Sequence, residues 1–327
     1  MATSQAATPT SAPTEPNQRW RPSEVSWPEL ASTLGLIVMA IFFAVLNPGY
    51  LSEGNVSAIL QASAILIVLT VGQTFVIATG GIDLAVASTM TLGAIVLGEF
   101  YAAGWNIWAA ALAGFVASAI VGIINGLVIS KGGITDFIVT LGTLSAASGL
   151  ALIIADGQKT TVVEPVLIKL SVNGIWIFSW SILIAIGLAV LGHVVLFHTR
   201  FGLHVLAIGG SAESSRSVGI RTWLVKTGVY VISAGLAGIA ALLLVARVGA
   251  AEPAANTSFL LNSVAAVVLG GVSLFGGRAT IAGPVIGALL LTALVNGLTR
   301  VGLSEFYQPL TVGIVVVLAA FITRFNK

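Results

Sequence analysis

The feature that most limits what this chain can fold into is its unbroken succession of apolar runs. A helix needs about 20 apolar residues to cross the hydrocarbon of a bilayer. Runs near or above that length fall at roughly 30–47, 57–79, 85–103, 107–130, 137–155, 175–197, 224–246, 262–275, 281–298 and 306–323. Charged residues make up only 8% of the 327, against about 25% in soluble domains. That is too little charge to coat a water-facing surface. The sequence therefore predicts an all-α protein, a polytopic integral membrane helical bundle of about ten transmembrane helices. The eighth run is short and rich in glycine. It either crosses or forms a broken, re-entrant segment, which hydrocarbon tolerates only where protein surrounds it. In the second case the count falls to eight or nine.

Residues 1–28 are rich in Ala, Ser, Thr and Pro and have no apolar core. They are expected to form a disordered cytoplasmic tail, with residues 29–327 as the transmembrane domain. Arg19 and Arg21 come too late for a secretory signal, and the run after them is a full span. Orientation follows from Lys and Arg, which are retained on the cytoplasmic side. With the N-terminus inside and ten crossings, ten of the fourteen Lys and Arg fall on the inner side and four on the outer. Both termini are then cytoplasmic.

The longest charge-bearing interruption is the loop 198–223, which holds Arg200, Arg216 and Arg221, with Lys226 just beyond, against Glu213 alone. It carries the signals of a short helix. Gly209-Gly210 breaks the chain, and the Ser211 hydroxyl can cap exposed N–H groups. Glu213 falls in the first turn, where the helix dipole favours negative charge, and Gly219 follows as the C-terminal stop. About two turns are unstable alone in water, so this helix needs a packing partner. On spacing alone it is either such a docking element or an ordinary solvated loop.

Chemistry by the chain itself finds little support. There is no G-x-x-x-x-G-K-[ST] loop for ATP, no H-E-x-x-H, no G-x-S-x-G and no cysteine. The three histidines, His193, His198 and His204, have no carboxylate at ligand spacing. They read as a membrane-boundary cluster rather than a metal site, so no metal is expected. Among the few acids in the spans, Asp83 stands out in Thr79-Gly80-Gly81-Ile82-Asp83-Leu84. It can cap the span that follows it, couple conformational change, or handle substrate or protons, since ionisable groups in a membrane are costly and functional by default. The other polar groups in the spans are neutral, with Gln61, Gln73, Asn125 and Asn296 as candidates for a pathway. Neutral donors and acceptors match hydroxyl-rich solutes, and they equally serve as glue between helices. The doublet Gly80-Gly81 is echoed by Gly270-Gly271, each followed by an apolar residue and, two further on, leucine. Transporters often contain structural repeats.

Three stretches together resemble the permease of monosaccharide ABC importers of the ribose, xylose and arabinose type. They are GGIDLAVAS at Gly80–Ser88, AIGGSAESSRSVGI at Ala207–Ile220 and VVLGGVSLFGGRAT at Val267–Thr280. The resemblance covers about residues 30–325. It departs from the family's pattern at Ala85, Ala87, Ser211, Ser214, Ser215 and Ala279, which leaves subfamily and substrate open. It implies a bacterial plasma (inner) membrane protein whose two copies, as a homodimer, form a pore in the lipid. A cytoplasmic ABC ATPase subunit would bind the ATP, so this chain itself needs no cofactor. An extracytoplasmic sugar-binding protein would deliver substrate, and no nucleic acid is involved. The short helix Ser211–Val218 would be the coupling element, with Ser211, Glu213, Arg216 and Gly219 shaping it and Arg216 touching the ATPase. Gly80, Gly81, Asp83, Gly270, Gly271, Gly276, Gly277 and Arg278 would be the motif positions. The rival reading is a carrier that works alone on a small neutral solute. The scarcity of buried ionisable groups disfavours it.

Overall fold

A computed structural model describes residues 27–254 and 256–324. The tail assigned to residues 1–28 lies almost entirely outside the described residues, as does Lys327.

The described residues form thirteen α-helices, ten of which fall where the apolar runs are. They are α1 (Trp27–Leu46), α2 (Glu53–Ala78), α3 (Val86–Ala102), α4 (Ile107–Ser130), α5 (Asp136–Ile154), α6 (Pro165–Val172), α7 (Trp180–His198), α8 (Arg200–Gly210), α9 (Ala212–Ser217), α10 (Thr222–Val248), α11 (Thr257–Leu269), α12 (Ala282–Arg300) and α13 (Gln308–Arg324). Seven of them are long and apolar enough to span a membrane, and α3, α11 and α13 supply shorter apolar helices. The fold is that of a polytopic helical membrane protein.

Two predicted spans end elsewhere than expected. The eighth, read as 262–275, is helical over Thr257–Leu269 and leaves its helix at the Gly270-Gly271 doublet. Glycine costs helix stability, and a left-handed residue cannot continue the spiral. The sixth, read as 175–197, begins at Trp180. Its first residues belong to a hairpin, in which β2 (Gly174–Ile175) pairs antiparallel with β3 (Phe178–Ser179). A second short ribbon joins β1 (Thr160–Thr161) to β4 (Ala250–Ala251).

Burial orders the bundle. The apolar stretches of α2 and α10 are 78% and 67% buried, whereas those of α1 and α5 are 11% and 17% buried. So α2 and α10 form the centre, and α1 and α5 stand at the rim. The inner helices approach closely because small residues recur every four positions on α4: Gly114, Ser118, Gly122 and Gly126. A Cβ on Gly122 would lie 2.6 Å from the Tyr230 carbonyl oxygen of α10, and one on Gly126 would lie 2.6 Å from the Thr227 Cα. This is the small-residue packing that lets membrane helices meet without a hydrophobic driving force.

Contacts between the helix ends divide the bundle into two ends, here called basal and apical. At the basal end Glu29 of α1 accepts from the Thr280 hydroxyl. Lys131 lies over the Trp223 ring at 4.1 Å, and Lys226 pairs with Asp136 at 4.0 Å. At the apical end Asn47 donates to the Arg300 carbonyl, and Trp176 donates to Glu53. Of the ten Lys and Arg whose side chains are described, Lys131, Arg200, Arg216, Arg221, Lys226 and Arg278 are basal. Lys159, Lys169, Arg247 and Arg300 are apical.

Candidate functional site

The three sequence stretches that stood out separately meet at one place at the basal end. The first ingredient is a pair of helix stops. α2 ends with Gly80 in the left-handed conformation (φ +76°), the Gly80 N–H bonding to Ile77 and the Gly81 N–H to Val76. α11 ends the same way one residue later in its motif. There Gly271 has φ +84°, its N–H bonds to Val268, and that of Val272 bonds to Val267. Both are Schellman stops, which need glycine because a Cβ is penalised there. The echo between the two doublets is thus an echo of stop chemistry, with the structural match running Gly80 to Gly271, one position off the sequence match. Gly270 has a separate reason to be glycine: a Cβ on it would sit 2.1 Å from the Pro284 nitrogen of α12.

The second ingredient is α8. Thr199 caps it by accepting from the Gly202 N–H at 3.2 Å, and it runs to Gly209-Gly210. There its backbone lies against the stop of α2 and against the Gly276-Gly277 turn that follows α11. A Cβ on Gly209 would fall 2.0 Å from the Ala78 carbonyl oxygen and 2.3 Å from the Gly277 nitrogen. The Gly277 N–H donates to Ala78 across the same seam at 3.0 Å. A Cβ on Gly276 would meet the Gly80 nitrogen at 2.7 Å and the Gly209 Cα at 2.9 Å. Three backbones touch with no side chain between them. Distance along the chain hides this contact, and only the recurrence of glycine hints at it.

The third ingredient is α9, which follows at once. The Ser211 hydroxyl accepts from the Ser214 N–H at 3.1 Å. Glu213 lies in the first turn, and Gly219 (φ +86°) ends the segment. Ser215 is buried against the bundle, while Glu213, Arg216 and Ser217 face outward. This surface helix is therefore held, through Gly209-Gly210, to the end of α2 and to the turn after α11.

Asp83 lies just beyond the first stop, only 3% exposed. Its Oδ1 accepts from the Ala85 N–H at 2.9 Å, and its Oδ2 accepts from the Ser233 hydroxyl of α10 at 2.8 Å. Its own carbonyl accepts from Gln73 Nε2 at 2.7 Å. The carboxylate thus ties the turn before α3 to α10, and the Asp83 backbone carbonyl ties it to α2; the N-cap position of α3 itself is Ala85, whose own side chain makes no capping bond. Asp136, which the sequence reading passed over, belongs to the same region: a Cβ on Gly81 would meet Asp136 Oδ2 at 2.5 Å and the Tyr230 hydroxyl at 3.0 Å. The signal was present in two residues of opposite charge near helix starts, Asp136 as the first residue of α5 and Lys226 as the fifth of α10.

The neutral candidates do not converge. Gln61 donates to Ser171, Asn125 accepts from Thr143, and Asn296 accepts from Asn55, each on a different helix pair. Only Gln73 joins the junction. Arg278 is exposed on the turn after α11. Phe275 on that same turn is 90% exposed, and the sequence reading did not single it out because an apolar residue among apolar residues carries no pattern.

The fold and this junction define a polytopic helical membrane protein whose helix breaks are fused to a loop-borne surface helix. The chain belongs to the family described as branched-chain amino acid transport system / permease component, matched over residues 55–320. It is similar to the ribose import permease protein RbsC of Bacillus subtilis (strain 168), 36% identical over 305 residues, which cover 90% of this chain and 92% of that one. The RbsC of Escherichia coli (strain K12) is 32% identical, covering 90% and 93%. The L-arabinose ABC transporter permease protein AraH of Azospirillum brasilense is 30% identical, covering 91% and 89%. No solved structure matches the chain.

Proposed function

We infer that this chain is the membrane-spanning permease subunit of an ATP-binding-cassette importer and forms the path for a monosaccharide. The observation that carries the reading is similarity over nine-tenths of the chain to permeases named for ribose and arabinose. A separate cytoplasmic subunit hydrolyses ATP, an extracytoplasmic binding protein delivers the sugar, and two permease copies enclose the pore. The basal end faces the cytoplasm, because six of the ten described Lys and Arg side chains lie there and positive loops are retained inside.

In this reading α9 is the coupling helix. When the ATPases close on ATP they push α9. The backbone contacts of Gly209 pass that displacement to the end of α2 and to the turn after α11. Packed cores switch between discrete arrangements instead of deforming smoothly, so a small push at α9 tilts whole helices. Asp83 acts in this scheme as a tie between α2, α3 and α10.

The test is reconstitution. The chain is co-expressed with its neighbouring ATPase and binding protein, purified in mild detergent and placed in proteoliposomes. ATP-dependent uptake of radiolabelled ribose or arabinose, with leucine excluded, is the expected result. Uptake by the permease alone, driven by an ion gradient, would sink the reading. Leucine uptake would keep the importer and remove the sugar.

Two further outcomes are expected. Arg216 stands outward in the middle of α9, so Arg216→Glu reverses a charge at the ATPase contact. Coupling free energies between sites typically correspond to about 5–150-fold. Uptake should fall by that order while membrane insertion and permease yield stay unchanged; normal uptake by the variant would remove Arg216 from the contact. A reporter fused after Lys327 should be active in the cytoplasm, and periplasmic activity would invert the assigned topology.

A further inference from the structure

We propose that the turn Ser273–Arg278 is a second docking element for the ATPase, with Phe275 as a knob that enters an apolar hollow on that subunit. This rests on the reading of α9 as the coupling helix and extends it.

Phe275 is 90% exposed and its neighbour Leu274 is 44% exposed. Both sit at the basal end, among charged groups. A single exposed apolar side chain is ordinary, but one aromatic on a fixed backbone, beside a second exposed apolar residue, has the form of an interface anchor. Here it is fixed. The Ser273 N–H donates to the Arg278 carbonyl at 3.1 Å, and the Gly276 N–H donates to Ser273 at 3.0 Å. The Phe275 N–H reaches the Ser273 hydroxyl at 3.3 Å. Gly276 and Gly277 both have positive φ, +82° and +76°, and the Gly277 N–H bonds to Ala78. A preordered loop gives up little entropy on binding.

The occupant follows from continuity with α9. A Cβ on Gly277 would lie 3.0 Å from the Gly210 Cα, and Gly210 directly precedes the Ser211 cap of α9. The turn and α9 are therefore two projections of one backbone block. Val218, 76% exposed at the end of α9, adds a second apolar point, and Arg216 and Arg278 add positive charge. The surface fits a protein face with an apolar hollow rimmed by acidic groups. Two anchor points, one on each side of the Gly209–Gly277 seam, would let the ATPase rotate the block instead of only pressing on it.

The chain has no cysteine, so single-cysteine labelling is clean. Phe275→Cys and Arg216→Cys are each placed in nanodiscs, and their reaction with a water-soluble methanethiosulfonate is timed with and without the ATPase subunit. Both cysteines should react fast without the ATPase, and both should be slowed by about tenfold or more when it is bound, within the range of ordinary site coupling. If Arg216→Cys is protected and Phe275→Cys stays reactive, the second docking element is wrong while the coupling helix stands. If Phe275→Cys is unreactive even without the ATPase, the side chain lies in lipid and the proposal fails. If neither is protected, the reading of α9 fails as well. Phe275→Leu should retain ATPase co-purification better than Phe275→Asp; equal retention would also overturn the knob.

Discussion

Gly209→Ala is expected to abolish transport and to lower the thermal stability of the purified protein, whereas Gly210→Ala next to it should leave both nearly unchanged. The added methyl at 209 falls 2.0 Å from one backbone atom and 2.3 Å from another. Neither the Ala78 carbonyl nor the Gly277 N–H can rotate away, since the hydrogen bond between them holds the seam. Overpacking a well-filled site costs about 1–3 kcal/mol and occasionally more. Backbone on both sides places this substitution at the upper end. At 210 a Cβ meets nothing within 4 Å, and such surface changes are usually within about 0.5 kcal/mol. Thermal unfolding in detergent and uptake in proteoliposomes, run on the two variants side by side, decide the matter. Equal behaviour of the pair would show that the seam is not tight in the working protein.

The second large effect is expected at Asp83. Asp83→Leu removes the acceptor of the Ala85 N–H and of the Ser233 hydroxyl, both buried. A buried donor left without a partner costs about 1–3 kcal/mol, so the pair together costs about 2–6 kcal/mol. That is a large share of the about 5–15 kcal/mol that separates folded from unfolded proteins. The variant should unfold at distinctly lower temperature and accumulate poorly. Asp83→Asn keeps an oxygen for Ala85 and can place its amide against Ser233, whose hydroxyl also accepts. Transport by the Asn variant should stay within about threefold of the parent, equivalent to less than about 1 kcal/mol. A stable Asn variant with no transport would mean that the carboxylate takes part directly, as a proton or substrate ligand.

Most of the helix boundaries were legible because they rest on local chemistry. The run at 107–130 is α4 to the residue, since an apolar run with no competing polar group has one low-energy state in hydrocarbon. Ser211, Glu213 and Gly219 outlined α9 for the same reason: caps act within one turn. The two misplaced borders share a cause. At 262–275 and 175–197 hydrophobicity continues past the point where the backbone turns. Val272 is buried and Ile175 belongs to a hairpin, yet both read as span residues. Apolar content reports burial or lipid contact and is silent on whether a helix continues.

The candidate pathway residues show the other limit. Gln61, Asn125 and Asn296 were equally good as ligands or as glue when only their type was known. Each proves to be engaged with a residue 110, 18 or 241 positions away, and no local pattern records such pairings. Asp136 was overlooked for a related reason: its neighbours Gly81, Tyr230 and Lys226 lie far from it along the chain.

The sequence by itself determined that the chain is a membrane bundle, where most of its apolar helices lie and where its charges fall, because each depends on transfer free energy and dihedral preference within a few residues. Only the tertiary structure decided that the stop of α2, the turn after α11 and the end of α8 form one junction, and that Asp83 ties three helices there. The reason is close packing: whether a glycine is a mere stop or a seam depends on which distant backbone fills the space where its Cβ would have been, and that space exists only once the helices have assembled.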